Sequence, residues 1–186
     1  MPNTTIDTKN ILNYTKISFI ESIDEYFKCI AIAKNAFEEY FSKAQIQEDI
    51  LQTVDWKKSF VSSVENEISG FLFVGKENRN TIKNVFKKCD TSNISKECVD
   101  FLKNSKGVRL ECLVVHPKFQ KQGVGSLLIN HFKINSEYDF GFGSVSNKLK
   151  NKKFHIKNSF CVVENKKNNM FYSIVVCTSN VIKKSK

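Results

Sequence analysis

Leu110-Glu111-Cys112-Leu113-Val114-Val115-His116-Pro117-Lys118-Phe119-Gln120-Lys121-Gln122-Gly123-Val124-Gly125-Ser126-Leu127-Leu128 changes its backbone preference partway along. Val108 to Val115 is strongly apolar and reads as a strand. His116-Pro117 closes it, because proline donates nothing to a ladder and restricts the residue before it. From Gly123 to about Ser136, the residues Leu127, Leu128, His131, Phe132 and Asn135 recur at helical spacing. Gly123 and Gly125 therefore fall at a strand-to-helix turn. Glycines there let backbone amides approach a ligand closely, and the helix start adds unpaired N–H groups and partial positive charge. The turn reads as an anion site that a pyrophosphate would fit.

Competing readings of such a turn can be weighed residue by residue. A nucleoside-triphosphate loop needs Gly-Lys-Ser/Thr, but Gly125 is followed by Ser126-Leu127. A dinucleotide fingerprint wants a third glycine near Leu128, where there is none. For two glycines alone, a capped turn with no ligand would be the default.

Working outward, Tyr14 to Ile20 reads as a first strand, and Ser22-Ile23-Asp24-Glu25 fits a capping box. Apolar residues at helical spacing continue to about Phe41, and Gln45 to Gln52 fits a second helix. Ser59 to Val64 and Ile68 to Gly75, split by a polar turn at Glu65-Asn66-Glu67, predict a hairpin. Asn78 to Gly107 is polar and basic and reads as two short helices or a long insertion. Phe140 to Val145 is another strand, Asn147 to Asn158 a helix, and Phe160 to Glu164 with Met170 to Cys177 a closing hairpin.

The 186 residues fit one domain, with a core of about residues 14–178 and an insertion at about 78–107. Sixteen Phe and 41% hydrophobic residues describe a packed globule. No apolar run approaches a bilayer span and the first ten residues carry no signal pattern, so a cytoplasmic protein without membrane association is expected. Six cysteines without paired or zinc-finger spacing suggest reduced, buried thiols and no metal. The net charge of +10 is spread along the chain beside Asn, without the interleaved aromatics of a nucleic-acid surface. Some positive field would still help a polyanionic ligand arrive.

The segment resembles the GCN5-related N-acetyltransferase (GNAT) family. That family's signature is a strand ending near Val-x-Pro, then Gln/Arg-x-x-Gly-x-Gly/Ala, then a helix. Gln120-Lys121-Gln122-Gly123-Val124-Gly125 matches each fixed position, and the order of elements agrees from about Tyr14 to Cys177. The resemblance implies an α/β fold: a mixed, mostly antiparallel sheet flanked by helices. It also implies an N-acetyltransferase that passes acetyl from acetyl-CoA, a co-substrate, to a primary amine of a small molecule or protein in a ternary complex. A catalytically weakened CoA-binding or interaction module of the same fold is the alternative, and either a monomer or a homodimer is compatible.

By the same resemblance, backbone groups of Leu113, Val114 and Val115 pair with the pantetheine arm, and Gln120, Lys121, Gln122, Gly123, Val124, Gly125 and Ser126 supply the pyrophosphate loop. Asn147 or Asn151 would bond the pantetheine arm. Glu111 shares a strand face with Leu113 by period-2 alternation and is the candidate base, with pairing to a nearby Lys or to Arg109 as the plainer alternative. His155 stands where the family carries a Tyr and is the candidate acid, as an imidazolium; packing on its helix is the alternative. His116 is expected at a strand end, His131 on a helix surface, and Cys112 in the core. Phe37, Tyr40, Phe41 and Trp56 are expected to line the acceptor pocket.

Overall fold

The computed structural model describes residues 11–38, 42–76, 94–146, 151–159, 161–165 and 170–177. Its elements run α1 (Ile11–Tyr14), β1 (Thr15–Phe19), α2 (Ile23–Phe37), α3 (Lys43–Thr53), β2 (Phe60–Val64), β3 (Glu67–Val74), α4 (Lys96–Asn104) and β4 (Gly107–Val115). They continue with α5 (Val124–Asn135), β5 (Phe140–Ser146), α6 (Lys152–Asn158), β6 (Cys161–Asn165) and β7 (Met170–Val176). Short 3-10 turns occupy Trp56–Lys58 and Pro117–Phe119. The strands form one seven-stranded sheet in the order β1-β2-β3-β4-β5-β7-β6. The β4–β5 ladder is parallel, and β1–β2, β2–β3, β5–β7 and β6–β7 are antiparallel. Beside β4, His116 N–H donates to Ser69 O and Gly75 N–H to Arg109 O, so β3 and β4 also run in opposite directions.

By contact density the chain divides into two compact units, Met1–Val74 with Cys112–Leu128, and Gly75–Glu111 with Ile129–Lys186. Neither is a continuous segment of chain. In the first, Ser22 Oγ accepts from Glu25 N–H at 3.1 Å, and the Glu25 carboxylate accepts from Glu21 N–H at 3.0 Å, one residue earlier than a standard capping box reaches. Ser42 caps α3 in the same way through Gln45 N–H. Tyr26, Cys29, Ile30 and Ala33 of α2 and Ile46 and Ile50 of α3 pack with Val61, Phe71, Phe73 and Val114 of the strands. The β2–β3 hairpin turns on Glu65 and Asn66, both at positive φ (49° and 67°), the mirror-image turn whose twist suits a two-residue hairpin. The helix expected to reach Phe41 ends at Phe37, and residues 39–41 lie outside the described ones.

In the second unit, Ser95 Oγ caps α4 by accepting from Cys98 N–H. The Leu102 side chain is fully buried against Phe140, Phe142, Val163 and Ile174. The basic insertion supplies α4 over its final part, and residues 78–93 of it lie outside the described residues. The loops at one end are tied together by Asp139. Its N–H donates to Lys106 O, its carboxylate accepts from Lys106 N–H, and its carbonyl accepts from Cys177 N–H, at 2.8, 2.8 and 2.9 Å. The closing hairpin forms as expected, but its second strand, not its first, lies next to β5.

Because Leu102 has no exposed surface and joins α4 to the strands of this unit, Leu102→Ala should cost about 2–5 kcal/mol through lost burial and a residual cavity. Urea unfolding of the two proteins at neutral pH measures this; a loss below about 1 kcal/mol would show that the site collapses or that α4 is not anchored there.

Candidate functional site

After β4 the chain passes through Pro117–Phe119 and turns on Lys121 and Gly123, at φ 61° and 93°. A left-handed φ is steric strain for lysine and free for glycine. Three side-chain bonds hold the turn. His116 Nδ1 accepts from Lys118 N–H, Gln120 Nε2 donates to Val115 O at 3.1 Å, and Gln122 Nε2 donates to Lys118 O at 2.9 Å. Phe119 and Val124, each 1% exposed, anchor its two ends.

Leu127 N–H donates to Gly123 O at 3.0 Å, which makes Gly123 the N-cap of α5. The amides of Gly123, Val124, Gly125 and Ser126 then have no acceptor within the helix. In α2, α3 and α4 a serine hydroxyl fills this role. Glycine has no side chain to do so, and the positive end of the helix dipole lies at the same place. Two buried side-chain oxygens, Gln122 Oε1 and Asn151 Oδ1, have no partner among the described residues. Both residues were named from sequence as cofactor contacts, and both oxygens are acceptors that amide N–H groups could satisfy. Asn147 lies outside the described residues.

Along β4 the side chains alternate. Cys112 and Val114 pack against the apolar core of the first unit, as expected of Cys112. β5 pairs with β4 over only Gly107, Val108 and Arg109. In the second unit Arg109 Nε lies 3.1 Å from Glu111 Oε2, and the Glu111 side chain is only 14% exposed. The plainer reading of Glu111, an ion pair with Arg109, is thus present. Sequence reasoning passed over Gly75, whose backbone bonds to Arg109 and whose missing Cβ would lie 2.8 Å from Glu111 Oε1. An isolated glycine ending an apolar strand was the available signal.

His155, on α6, makes edge contacts with the rings of Phe154 and Phe171, with centroids 5.3 and 5.4 Å away. Burial pushes its pKa down from the ordinary 6.5 to about 4. The imidazolium expected of it is therefore absent at neutral pH, because a charged ring packed on aromatic rings loses its hydration. His131 also differs from expectation: it is half-buried on α5, and burial lowers its pKa. Phe37 and Trp56 pack against the core of the first unit, Trp56 stacking on Tyr26 at 6.2 Å. Tyr40 and Phe41 lie outside the described residues. Among the described residues no group of three or more His, Cys, Asp or Glu is placed to hold a metal ion. None of the described helices is long and apolar enough to cross a membrane.

No protein-family model and no curated protein sequence matches the chain. Its fold is nevertheless that of known acyltransferases. It is similar to a GNAT-family acetyltransferase from Bacillus cereus, with a TM-score of 0.52 and 18% identity over 86% of this chain and 94% of that one. It is also similar to the PaiA N-acetyltransferase of Thermoplasma acidophilum in complex with coenzyme A, with a TM-score of 0.54 and 13% identity over 87% and 98% of the two chains. A third is the polyamine N-acetyltransferase of Drosophila melanogaster, with a TM-score of 0.58 and 8% identity over 87% and 99%. The chain has the GNAT fold: a mixed, mostly antiparallel sheet flanked by helices.

The state of His155 has a measurable consequence. Its folded pKa lies below its unfolded value, so as pH falls from about 6.5 toward 4 the unfolded chain takes up the proton first and stability is lost. The wild type should be less stable at pH 5 than at pH 7, and His155→Phe should lose less over the same interval. Urea midpoints at both pH values test this, and an unchanged pH dependence in the variant would show that His155 titrates normally.

Proposed function

We propose that the protein is an acetyl-CoA-dependent N-acetyltransferase that passes the acetyl group to a primary amine by direct attack in a ternary complex. It would act in the cytoplasm as a monomer or homodimer. The observation that carries this reading is the glycine-capped start of α5, with four amides left without helical acceptors at the end of a turn held by Gln120 and Gln122. Those amides, with the backbone from Gln120 to Ser126, would hold the pyrophosphate. Hydrogen bonds to a charged group contribute about 1.5–3 kcal/mol each, so several together outweigh the cost of ordering a flexible ligand. The edge of β4 at Leu113 to Val115, beyond its three-residue ladder with β5, would pair with the pantetheine arm as an added strand. Asn147 or Asn151 would accept from one of its amides, and the Asn151 Oδ1 is buried without a partner among the described residues. The coenzyme A in the structurally similar Thermoplasma acidophilum enzyme supports the choice of ligand.

Glu111 is the base in this reading. As the amine nitrogen bonds to the thioester carbonyl carbon, the carboxylate takes the amine's proton, the C–S bond breaks, and the sulfur leaves with the electron pair. A neutral His155 could offer an N–H hydrogen bond to that sulfur but holds no extra proton to give at pH 7. This favours a second reading, a CoA-binding module with little turnover.

Acetyl-CoA at about 100 times its dissociation constant should raise the thermal midpoint by roughly 5–10 °C, from about 2.7 kcal/mol of linkage. In Gly125→Asp, which sets a carboxylate among the anion-binding amides, the shift should vanish. A shift that persists there would place the ligand elsewhere.

Glu111→Gln should keep the acetyl-CoA shift and lower turnover by about 10²–10⁴-fold. Thiol release measured with Ellman's reagent, with spermidine, agmatine and a lysine-bearing peptide as acceptors, reads the second effect. Binding without turnover in the wild type would favour the second reading.

A further inference from the structure

The guanidinium of Arg109 beside Glu111 favours the charged carboxylate and so weakens it as a base, but the same contact also fixes where the carboxylate lies. The two residues are two apart on β4 and so share a face, and the contact is made through Nε to one carboxylate oxygen, at 3.1 Å. The other oxygen, Oε1, lies over the backbone of Gly75, 2.8 Å from where a side chain would begin. Real Cβ atoms do not approach that closely, so any other residue at Gly75 would displace the carboxylate. Gly75 is itself held by its N–H bond to Arg109 O, at 2.7 Å. Arg109, Glu111 and Gly75 thus form one mutually positioned set, with the Glu111 side chain largely enclosed and the Arg109 side chain 45% exposed.

We propose that Arg109 is a positioning residue for Glu111 and that Gly75 is the space its second oxygen requires, so that the carboxylate is held in one orientation for proton abstraction. This rests on the reading of Glu111 as the base. An enclosed glutamate without such contacts would sample several rotamers, and a misplacement of about 1 Å can cost about 10²-fold in rate. The ion pair serves orientation here more than stability, since pairs with an exposed partner contribute little to folding.

The test is a double-mutant cycle on the whole protein, with thiol release from acetyl-CoA in the presence of spermidine, agmatine and a lysine-bearing peptide as the readout. Arg109→Met should lower kcat by about 10²-fold while KM for acetyl-CoA and the acetyl-CoA thermal shift stay unchanged. Arg109→Lys should recover part of the loss, because a shorter-range cation remains. In the Glu111→Gln background Arg109→Met should have no further effect on kcat, since there is no carboxylate left to orient. Gly75→Ala should behave as Arg109→Met does where it folds, and the arginine variants decide the matter where it does not. If Glu111→Gln lowers turnover but Arg109→Met leaves kcat unchanged, or acts equally in both backgrounds, the proposal fails and the base assignment stands. If Glu111→Gln has no effect, or the wild type turns over none of the acceptors, the assignment fails and the proposal falls with it.

Discussion

A helix leaves its first four N–H groups without acceptors inside itself, and a protein must either cap them or leave them for something else. Three helices here take the first course with serine, through Ser22, Ser42 and Ser95. At α5 the N-cap is Gly123, and the surrounding chain is arranged around that choice. His116 and Pro117 stop β4, and Phe119 and Val124 bury the flanks of the turn. The side chains of Gln120 and Gln122 bond carbonyls and leave the amides alone. Even Lys121 accepts a left-handed backbone. Non-glycine residues in that region cost on the order of 1–3 kcal/mol, a strain that rigid surroundings must hold in place.

The parts legible in the sequence are those where local chemistry leaves few options. Proline after an apolar run ends a strand wherever it occurs. Ser22 marks a helix start by a mechanism that acts within four residues, whereas Ser42, which caps α3 in the same way, was passed over and that helix was read from Gln45. The hairpins were visible because turn residues and alternating apolar runs adjoin in sequence. What could not be read was decided by partners distant in the chain. Cys161–Asn165 becomes an edge strand because β7 takes the place beside β5, and no local pattern encodes which strand of a hairpin faces inward. Burial records the outcome: Phe171, Ser173, Ile174 and Val175 of β7 are buried, as a central strand requires.

The site residues divide along the same line. The turn at Gln122, Gly123 and Gly125 is legible by spacing because backbone geometry at a turn is a local property. His155 was placed correctly on a helix, but its protonation follows from burial, and one of the rings packed on it, Phe171, lies sixteen residues away on another element. Gly75 was read as the end of a strand. Its contact with Glu111 arises from the way β3 ends beside β4, thirty-six residues further on.

The net charge of +10 does not decide the electrostatics of the individual groups. Exposed lysines lie in high dielectric and contribute a diffuse field that falls off over about 10 Å at ordinary ionic strength. Glu111 is largely enclosed, so a guanidinium at 3.1 Å acts on it more strongly than charges a Debye length away. At α5 the opposite holds: the positive end of the helix comes from uncharged amides whose dipoles are fixed by the backbone, so the anion site proposed there would need no charged side chain to be reoriented. A basic surface can bring a polyanion to the protein; on the proposed reading, the fixed amides would then select where its phosphates come to rest.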